Sequence, residues 1–226
     1  YGKALEKAAI IAYNHEQDFR KSYELYIKLE QIAESNDRQL EAQLGAMRSA
    51  YRANLTNEVY DISKKVADNP IASQNQLATA NFYYGKISFD RKDYNNALSA
   101  FNQVITLSDN EQTAEARYLV AYIYYLQRDL DRAEEITINA NRESSSYPYW
   151  VAKSVILLSD ILAEKGDILN AQAVLEALLE NYEGDADLVQ TARDKLQQLN
   201  RRINSESRID SSTDSFFEDD GTGNNE

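Results

Sequence analysis

The sequence contains no cysteine and only 2 proline and 7 glycine residues in 226 positions. Without cysteine the chain has no disulfide framework, no thiolate zinc site and no thiol nucleophile. The scarcity of proline and glycine excludes a β-sandwich or barrel, because many short strands need turn residues at close intervals. Ala, Leu, Glu, Gln and Lys are abundant between these breakers, which predicts long helices.

The chain also lacks long apolar runs and a basic character. No run approaches the roughly 18 apolar residues that a membrane span needs. The formal net charge of −13 argues against a nucleic-acid binder, which requires a basic face, and against adhesion to anionic lipid. The chain begins at Tyr1 without a signal-peptide pattern, and we interpret it as a fragment or processed form.

A five-residue pattern recurs along the chain at nearly constant period. It consists of Asp or Asn, an apolar residue, two mostly polar residues and, in four of the five copies, a small residue. Asp and Asn are favoured N-caps because their side chains accept hydrogen bonds from free N–H groups of a first helical turn. Since another helical stretch precedes each cap, each unit is predicted to be a helical hairpin. The pattern occurs at Asp18–Ser22, Asn54–Glu58, Asp93–Ala97, Asp129–Ala133 and Asp167–Ala171.

At these residues the sequence resembles the tetratricopeptide repeat (TPR) family, whose motif places small residues at positions 8 and 20. The unit that starts at Ala78 has Gly85 and Ala97 at these positions, and Phe101 at the large position 24. In the first unit, two residues depart from the motif: Glu6 stands at a position that is usually large and apolar, and Ile10 at a small one.

The resemblance implies an all-α, right-handed α-solenoid of helical hairpins, a TPR-like superhelix. We place the array at 1–204 and expect it to end in a capping helix over 185–204, where apolar residues form one helical stripe. Residues 205–226 are acidic and poor in apolar residues, and we predict them to be a disordered tail. The predicted units span about 3–36, 39–72, 78–111, 114–147 and 152–184.

Nothing in the sequence indicates catalysis. His15 is the single histidine, and neither a nucleophile elbow nor a phosphate-binding loop is present. We therefore predict a protein that is not an enzyme, with no catalytic residues, no metal site and no cofactor.

The 16 tyrosine and 6 phenylalanine residues are the most informative feature for function. The resemblance implies that the first helix of each unit lines a concave groove, and tyrosine suits such a surface because it offers large area at low entropic cost. Aromatic stripes at helical spacing also arise from ordinary packing, which is the alternative. The predicted groove residues are Tyr51, Phe82, Lys86, Phe89, Tyr118, Tyr122, Tyr125 and Lys153.

We accordingly expect a scaffold that binds a protein or peptide partner in this groove, as part of a larger assembly. The alternative is a small-ligand or glycan-binding module that uses the tyrosines for stacking. The loose, Tyr-rich repeats look like those of bacterial envelope proteins, which implies a periplasmic or outer-membrane-associated location in preference to the cytoplasm. Further repeats before Tyr1 are compatible with this reading.

Overall fold

The structure, a computed structural model, describes the backbone of residues 1–217 and the side chains of residues 1–205. All regular elements of this part of the chain are helical. A π-helical turn at Ala12–Glu16 directly follows the first helix. The α-helices are α1 (Gly2–Ile11), α2 (Phe19–Gln31), α3 (Asn36–Arg52), α4 (Thr56–Ala67), α5 (Gln74–Asp90), α6 (Tyr94–Leu107), α7 (Glu111–Leu126), α8 (Leu130–Glu143), α9 (Pro148–Glu164), α10 (Ile168–Asn181) and α11 (Ala186–Phe217).

Aspartate caps start the second helix of four hairpins, as the recurring pattern predicts. Asp18, Asp93, Asp129 and Asp167 each accept a hydrogen bond from the backbone N–H three residues later. These bonds are 3.0–3.3 Å long and satisfy donors that have no partner within the helix. The small residues at the end of the pattern are fully buried, so the two helices of each hairpin approach closely there; they are Ser22, Ala97, Ala133 and Ala171.

The second hairpin differs from the predicted pattern by one residue. Leu55 is the N-cap of α4 and provides no side-chain bond, whereas Asn54 stands in the turn with φ 56°. The buried position that ends the pattern is consequently Val59, which is 1 % exposed, and not Glu58. Asn was mistaken for a cap because both roles favour this residue: its short side chain tolerates a left-handed backbone as well as capping a helix.

Every hairpin turn contains one residue in the left-handed region. Besides Asn54, these residues are Gln17 (φ 53°), Lys92 (φ 60°), Arg128 (φ 65°) and Gly166 (φ 87°). Only glycine adopts this conformation without steric cost, and side chains such as Lys and Gln are strained in it. The shared conformation gives the five turns the same geometry despite their different sequences.

The π-helical turn explains the two departures from the motif in the first unit. A π-turn accommodates one extra residue within a helix, so all residues before it are displaced by one position relative to the motif. Leu5 and Ala9 then occupy the large and the small motif position, at which a count without the π-turn places Glu6 and Ile10. Their burial agrees with this register, because Leu5 is 8 % and Ala9 0 % exposed while Ile10 is 41 % exposed.

The chain divides into two compact units, Tyr1–Ile123 and Tyr124–Glu226. In the first, the N-terminal unit, consecutive helices from α1 to α6 pack against one another. One part of its core joins α3, α4 and α5 through Met47, Ile62, Val66 and Ala80, with Tyr26 packed against it. Phe101 is fully buried in the third hairpin, in agreement with its predicted core position.

In the C-terminal unit, α8 packs on α9, α9 on α10, and α11 on both α9 and α10. Leu188, Ala192 and Leu196 of α11 cover Ile156 and Leu175, which is the packing expected of a capping helix. The helix continues past the predicted end at residue 204 to Phe217, since no glycine or proline interrupts it. Residues 218–226 of the predicted disordered tail lie outside the described residues.

Candidate functional site

Half-buried aromatic side chains follow the first helices of three consecutive hairpins in the N-terminal unit. The ring centroids of Tyr51 in α3 and Tyr83 in α5 are 4.5 Å apart. The ring centroid of Phe89, six residues further along α5, lies 6.1 Å from that of Tyr122 of α7. Tyr122 is in turn stacked on Tyr118 at 5.9 Å, with the ring planes 10° apart. We call these five residues the aromatic strip.

An ion pair crosses the same surface between α5 and α7. Lys86 donates a hydrogen bond of 2.5 Å from Nζ to Oε1 of Glu115, and both side chains are mostly buried. Burial by itself lowers the pKa of Lys86, but the bond to Glu115 and the negative charge of this carboxylate outweigh it and raise the pKa above its ordinary value. Lys86 is therefore a permanent cation that already has an internal partner.

One of the residues predicted to line the groove is buried, whereas five others are half-buried. Phe82 is only 6 % exposed and packs edge-on against Tyr83, because α5 is enclosed by α3, α4 and α6. Its ring belongs to the core in this structure. Tyr51, Lys86, Phe89, Tyr118 and Tyr122 are half-buried on the N-terminal unit.

Tyr125 and Lys153 lie in the C-terminal unit and have their own partners there. The hydroxyl of Tyr125 donates a 2.5 Å hydrogen bond to Glu164, which also accepts from Arg128. Burial and this carboxylate raise the pKa of Tyr125 well above its usual value. Lys153 places Nζ 5.2 Å from the ring centroid of Trp150, a cation–π contact.

A second surface, which was not among the predicted ones, is a cleft of about 1130 Å³ between α1, α2 and α3. One face of α1 and one face of α3 form its walls, and α2 forms its floor. Ile10 and Ile32, which line it, are 41 % and 40 % exposed and thus present apolar surface to solvent. We call it the N-terminal cleft; the residues that define it here are Lys3, Glu6, Ile10 and Tyr13 of α1, Arg38, Glu41, Gly45 and Arg48 of α3, and Tyr26 and Leu29 of α2.

Electrostatic contacts converge on Tyr26 at the floor of this cleft. Burial raises the pKa of its hydroxyl, Arg48 opposes the rise, and Glu6 and Tyr13 add to it. Groups from α1 and α3 therefore face the same hydroxyl from both walls. A signal for the cleft was present in the sequence: the misfit of Ile10, a large apolar residue at a position expected to be small, marks the shifted face of α1.

No group of three or more His, Cys, Asp or Glu side chains in residues 1–205 is placed to hold a metal ion. None of the helices in the described part of the chain is both long enough and apolar enough to cross a membrane.

The succession of hairpins, each closed by a capped turn and packed on the next, defines a TPR-like helical repeat fold. No protein-family model and no curated protein matches the sequence. Solved structures do match the fold. A crystal structure of MamA aligns with a TM-score of 0.66 over 79 % of this chain and 90 % of MamA, at 18 % identity.

Two other structures show the same architecture. TPR-like repeats of a kinesin light chain from Podosopora anserina align with a TM-score of 0.60 at 13 % identity, covering 87 % of this chain and 98 % of theirs. The apo form of RapI aligns with a TM-score of 0.65 at 13 % identity, over 96 % of this chain and 90 % of RapI. At these identities the similarity establishes the fold of this chain.

Proposed function

We propose that this protein is a non-enzymatic scaffold that binds a segment of another protein along the aromatic strip. The observation that supports the proposal is the ring succession Phe89, Tyr122 and Tyr118, which bridges α5 and α7 and is half-buried. The TPR-like fold supports it too, because repeat arrays present extended surfaces on successive helices.

The chemistry of the strip suits a protein partner. Tyrosine is enriched among the residues that dominate binding energy, and aromatic residues including phenylalanine are enriched in the cores of interfaces, since rigid rings bury large apolar area and lose little conformational entropy. Lys86 and Glu115 neutralise each other between the rings, so the strip carries no unbalanced charge of its own at that point. A partner segment with apolar or aromatic side chains fits such a surface better than a highly charged one.

A glycan-binding module is the second candidate, and the nearly parallel rings of Tyr118 and Tyr122 are the feature that favours it. Sugars stack on exposed aromatic faces but also need polar groups beside the rings. Two charged groups on this surface, Lys86 and Glu115, are paired with each other. We therefore rank a protein partner first. The bacterial periplasmic location and the further repeats before Tyr1 stay predictions.

Site-specific photo-crosslinking tests the proposal. A photoreactive phenylalanine analogue at position 122 should capture a partner protein in cells that make this protein, and the same analogue at Tyr60 should not. Tyr60 is the matched control because it is also half-buried in the N-terminal unit but packs between α4 and α5 against Tyr84, at a centroid distance of 4.9 Å.

Loss of affinity then identifies the residues that contribute. With the captured partner purified, Phe89→Ala and Tyr122→Ala should each weaken binding by about thirtyfold, which corresponds to about 2 kcal/mol. Normal melting temperatures of both variants must accompany this loss. If both variants melt normally and bind the partner as tightly as the wild type, the strip is not the binding surface. A glycan-array signal without any crosslinked protein would favour the second candidate.

A further inference from the structure

The aromatic strip and the N-terminal cleft meet at Tyr83. The ring centroid of this strip residue lies 4.5 Å from that of Tyr51. Burial raises the pKa of the Tyr83 hydroxyl, and Tyr13 and Tyr51 add to the rise, whereas Arg48 and Arg52 oppose it. Because Tyr13 and Arg48 also line the cleft, groups of both surfaces lie near one hydroxyl. The two surfaces are therefore continuous within the N-terminal unit.

Hydrogen bonds in the first hairpins fix the level of α1 relative to α3. Ser22 of α2 donates from Oγ to the carbonyl of Ala9 in α1 at 3.0 Å, and its Oγ lies 2.9 Å from that of Ser49 in α3. Ala9 and Ser49 consequently lie at the same level of neighbouring first helices. About one helical turn further along, the chain after α1 reaches Tyr13 and α3 reaches Arg52.

Ring contacts connect these two residues through Phe19. The rings of Tyr13 and Phe19 pack edge-on with centroids 5.2 Å apart, and Cζ of Arg52 lies 4.5 Å from the centroid of Phe19. A guanidinium group with its face on a ring keeps the N–H donors in its plane for other partners. Arg48 stands four residues earlier on the same face of α3, at a Cβ separation of about 5–6 Å. We call Arg48 and Arg52 the arginine pair.

The arginine pair has no carboxylate partner among the described side chains. Neither residue forms an ion pair within residues 1–205, and both are exposed. Glu6 faces the Tyr26 hydroxyl as Arg48 does, but it does not pair with the arginine. Acids are not scarce, since the chain has 37 acidic against 24 basic residues, and Lys86 is paired with Glu115 on the same surface. Like charges four residues apart on a helix repel, and a bound anion relieves that repulsion.

A carboxylate is the anion that suits this place. The planar guanidinium group donates two parallel N–H bonds to a carboxylate, which the ammonium group of lysine cannot do. Two such groups one helical turn apart can hold one anion together. The neighbouring rings of Phe19 and Tyr83 exclude part of the water, which strengthens these bonds. Within a protein segment, carboxylate side chains are those of aspartate and glutamate.

We infer that the arginine pair binds the carboxylate of an aspartate or glutamate side chain in the partner segment that occupies the aromatic strip. The segment places apolar or aromatic residues on the rings and extends past Tyr83 towards the N-terminal cleft, where its acidic residue meets the arginine pair. The inference rests on the proposed protein-binding function. It adds the chemistry that selects the segment and the end of the strip at which the acidic residue lies.

An array of randomised short peptides tests the inference. The peptides are acetylated and amidated, so that a bound carboxylate belongs to a side chain and not to a chain end. Peptides retained by the wild-type protein should be enriched in both aromatic and acidic residues. Those retained by the double variant Arg48→Ala, Arg52→Ala should keep the aromatic enrichment and lose the acidic one.

A single peptide then gives the quantitative comparison. The strongest acidic peptide is measured by calorimetry beside its amide counterpart, with Asn for Asp or Gln for Glu. The amide form should bind the wild type about tenfold more weakly, and both forms should bind the double variant equally.

The control removes the same charge elsewhere. Arg20→Ala, Lys28→Ala changes two exposed residues of α2 outside the cleft, and this variant should keep the tenfold preference of the wild type. Melting temperatures establish that each variant is folded. If the loss of the Phe19 contact unfolds the Arg52 variant, Arg48→Ala alone must still reduce the preference for the carboxylate.

The outcomes separate this inference from the proposed function. Retained peptides without acidic enrichment, or an amide form that binds the wild type as tightly as the acid, overturn the inference. So does an equal loss in the α2 control, which would reveal a general effect of charge. If aromatic peptides without acids bind and lose affinity in Tyr122→Ala, the strip still binds a partner and only the arginine pair loses its role. Acidic peptides that need the arginine pair but tolerate Tyr122→Ala would instead contradict the proposed function.

Discussion

A Cβ atom on Gly85 would lie 2.7 Å from Cε1 of Phe101, closer than real Cβ contacts allow. The absent side chain of Gly85 in α5 thus makes room for the fully buried ring of Phe101 in α6. A helix interior normally disfavours glycine, so this residue stands in α5 because of the ring and in spite of its own helix propensity.

Gly85→Ala should destabilise the protein by about 1–2 kcal/mol. The gain of up to about 1 kcal/mol in helix propensity is smaller than the cost of overpacking a rigid aromatic ring, typically about 1–3 kcal/mol. Urea unfolding monitored by circular dichroism measures the change. An increase in stability would mean that the ring moves aside without cost.

Phe101→Ala should cost about 3–5 kcal/mol, because it leaves a cavity in the third hairpin. In this variant the obstacle to a methyl group at position 85 is gone. Adding Gly85→Ala should then stabilise the protein by up to about 1 kcal/mol, so the same substitution changes sign. Additive effects in the double variant would show that the two residues are energetically independent.

The left-handed conformation predicts that glycine is the most stable residue at two equivalent turn positions. Introducing glycine at position 92 should therefore stabilise the protein, and removing it from position 166 should destabilise it. Lys92→Gly should stabilise the protein by about 0.5–1 kcal/mol, because φ 60° is strained for lysine and free for glycine. Gly166→Ala should destabilise by about 1 kcal/mol through φ alone, since no atom lies within 4 Å of the added methyl group. Lys92→Ala, which retains the strain, is the control, and a gain as large as that of Lys92→Gly would exclude the backbone explanation.

The raised pKa of Tyr84 predicts that the protein loses stability at alkaline pH. Burial, together with the 3.2 Å hydrogen bond to Tyr60, raises the pKa of Tyr84 to about 12, whereas tyrosine in the unfolded chain titrates near 10. The folded state therefore keeps this proton more tightly than the unfolded state does. Its contribution is complete below pH 10 and decreases as the pH rises from about 10 to 12. Thermal melts across this range should show a shallower decline for Tyr84→Phe and an unchanged one for Tyr1→Phe, at an 87 % exposed tyrosine.

Local chemistry explains which parts of this fold are predictable from the sequence. The aspartate caps follow from a side chain and the N–H groups within its reach, and four of the five predicted caps are confirmed. The prediction of Asn54 as a cap was wrong because asparagine suits two adjacent positions of the turn, the left-handed residue and the N-cap that follows it. Phe101 was identified as core from its motif position, and its complete burial confirms that prediction.

The surfaces were harder to predict, because exposure depends on neighbouring helices that a single motif position does not describe. Phe82 occupies a position of the first helix that the motif assigns to the groove, yet α3, α4 and α6 enclose it. The N-terminal cleft was not predicted, because its walls come from two hairpins and their separation is a property of packing; the misfit of Ile10 marked only the face of α1 that lines it.

The π-helical turn at Ala12–Glu16 has a consequence for how repeat arrays diversify. A residue inserted in a loop leaves the exposed faces of the flanking helices unchanged. A residue inserted within a helix turns the preceding residues of that helix by about 100° about the helix axis, relative to the residues that follow. Ile10 reached the wall of the cleft in this way, while Ala9 took over the packing position. A single insertion can thus give one repeat a different exposed face and leave its fold intact, and alignments that permit gaps only between helices will misassign that repeat.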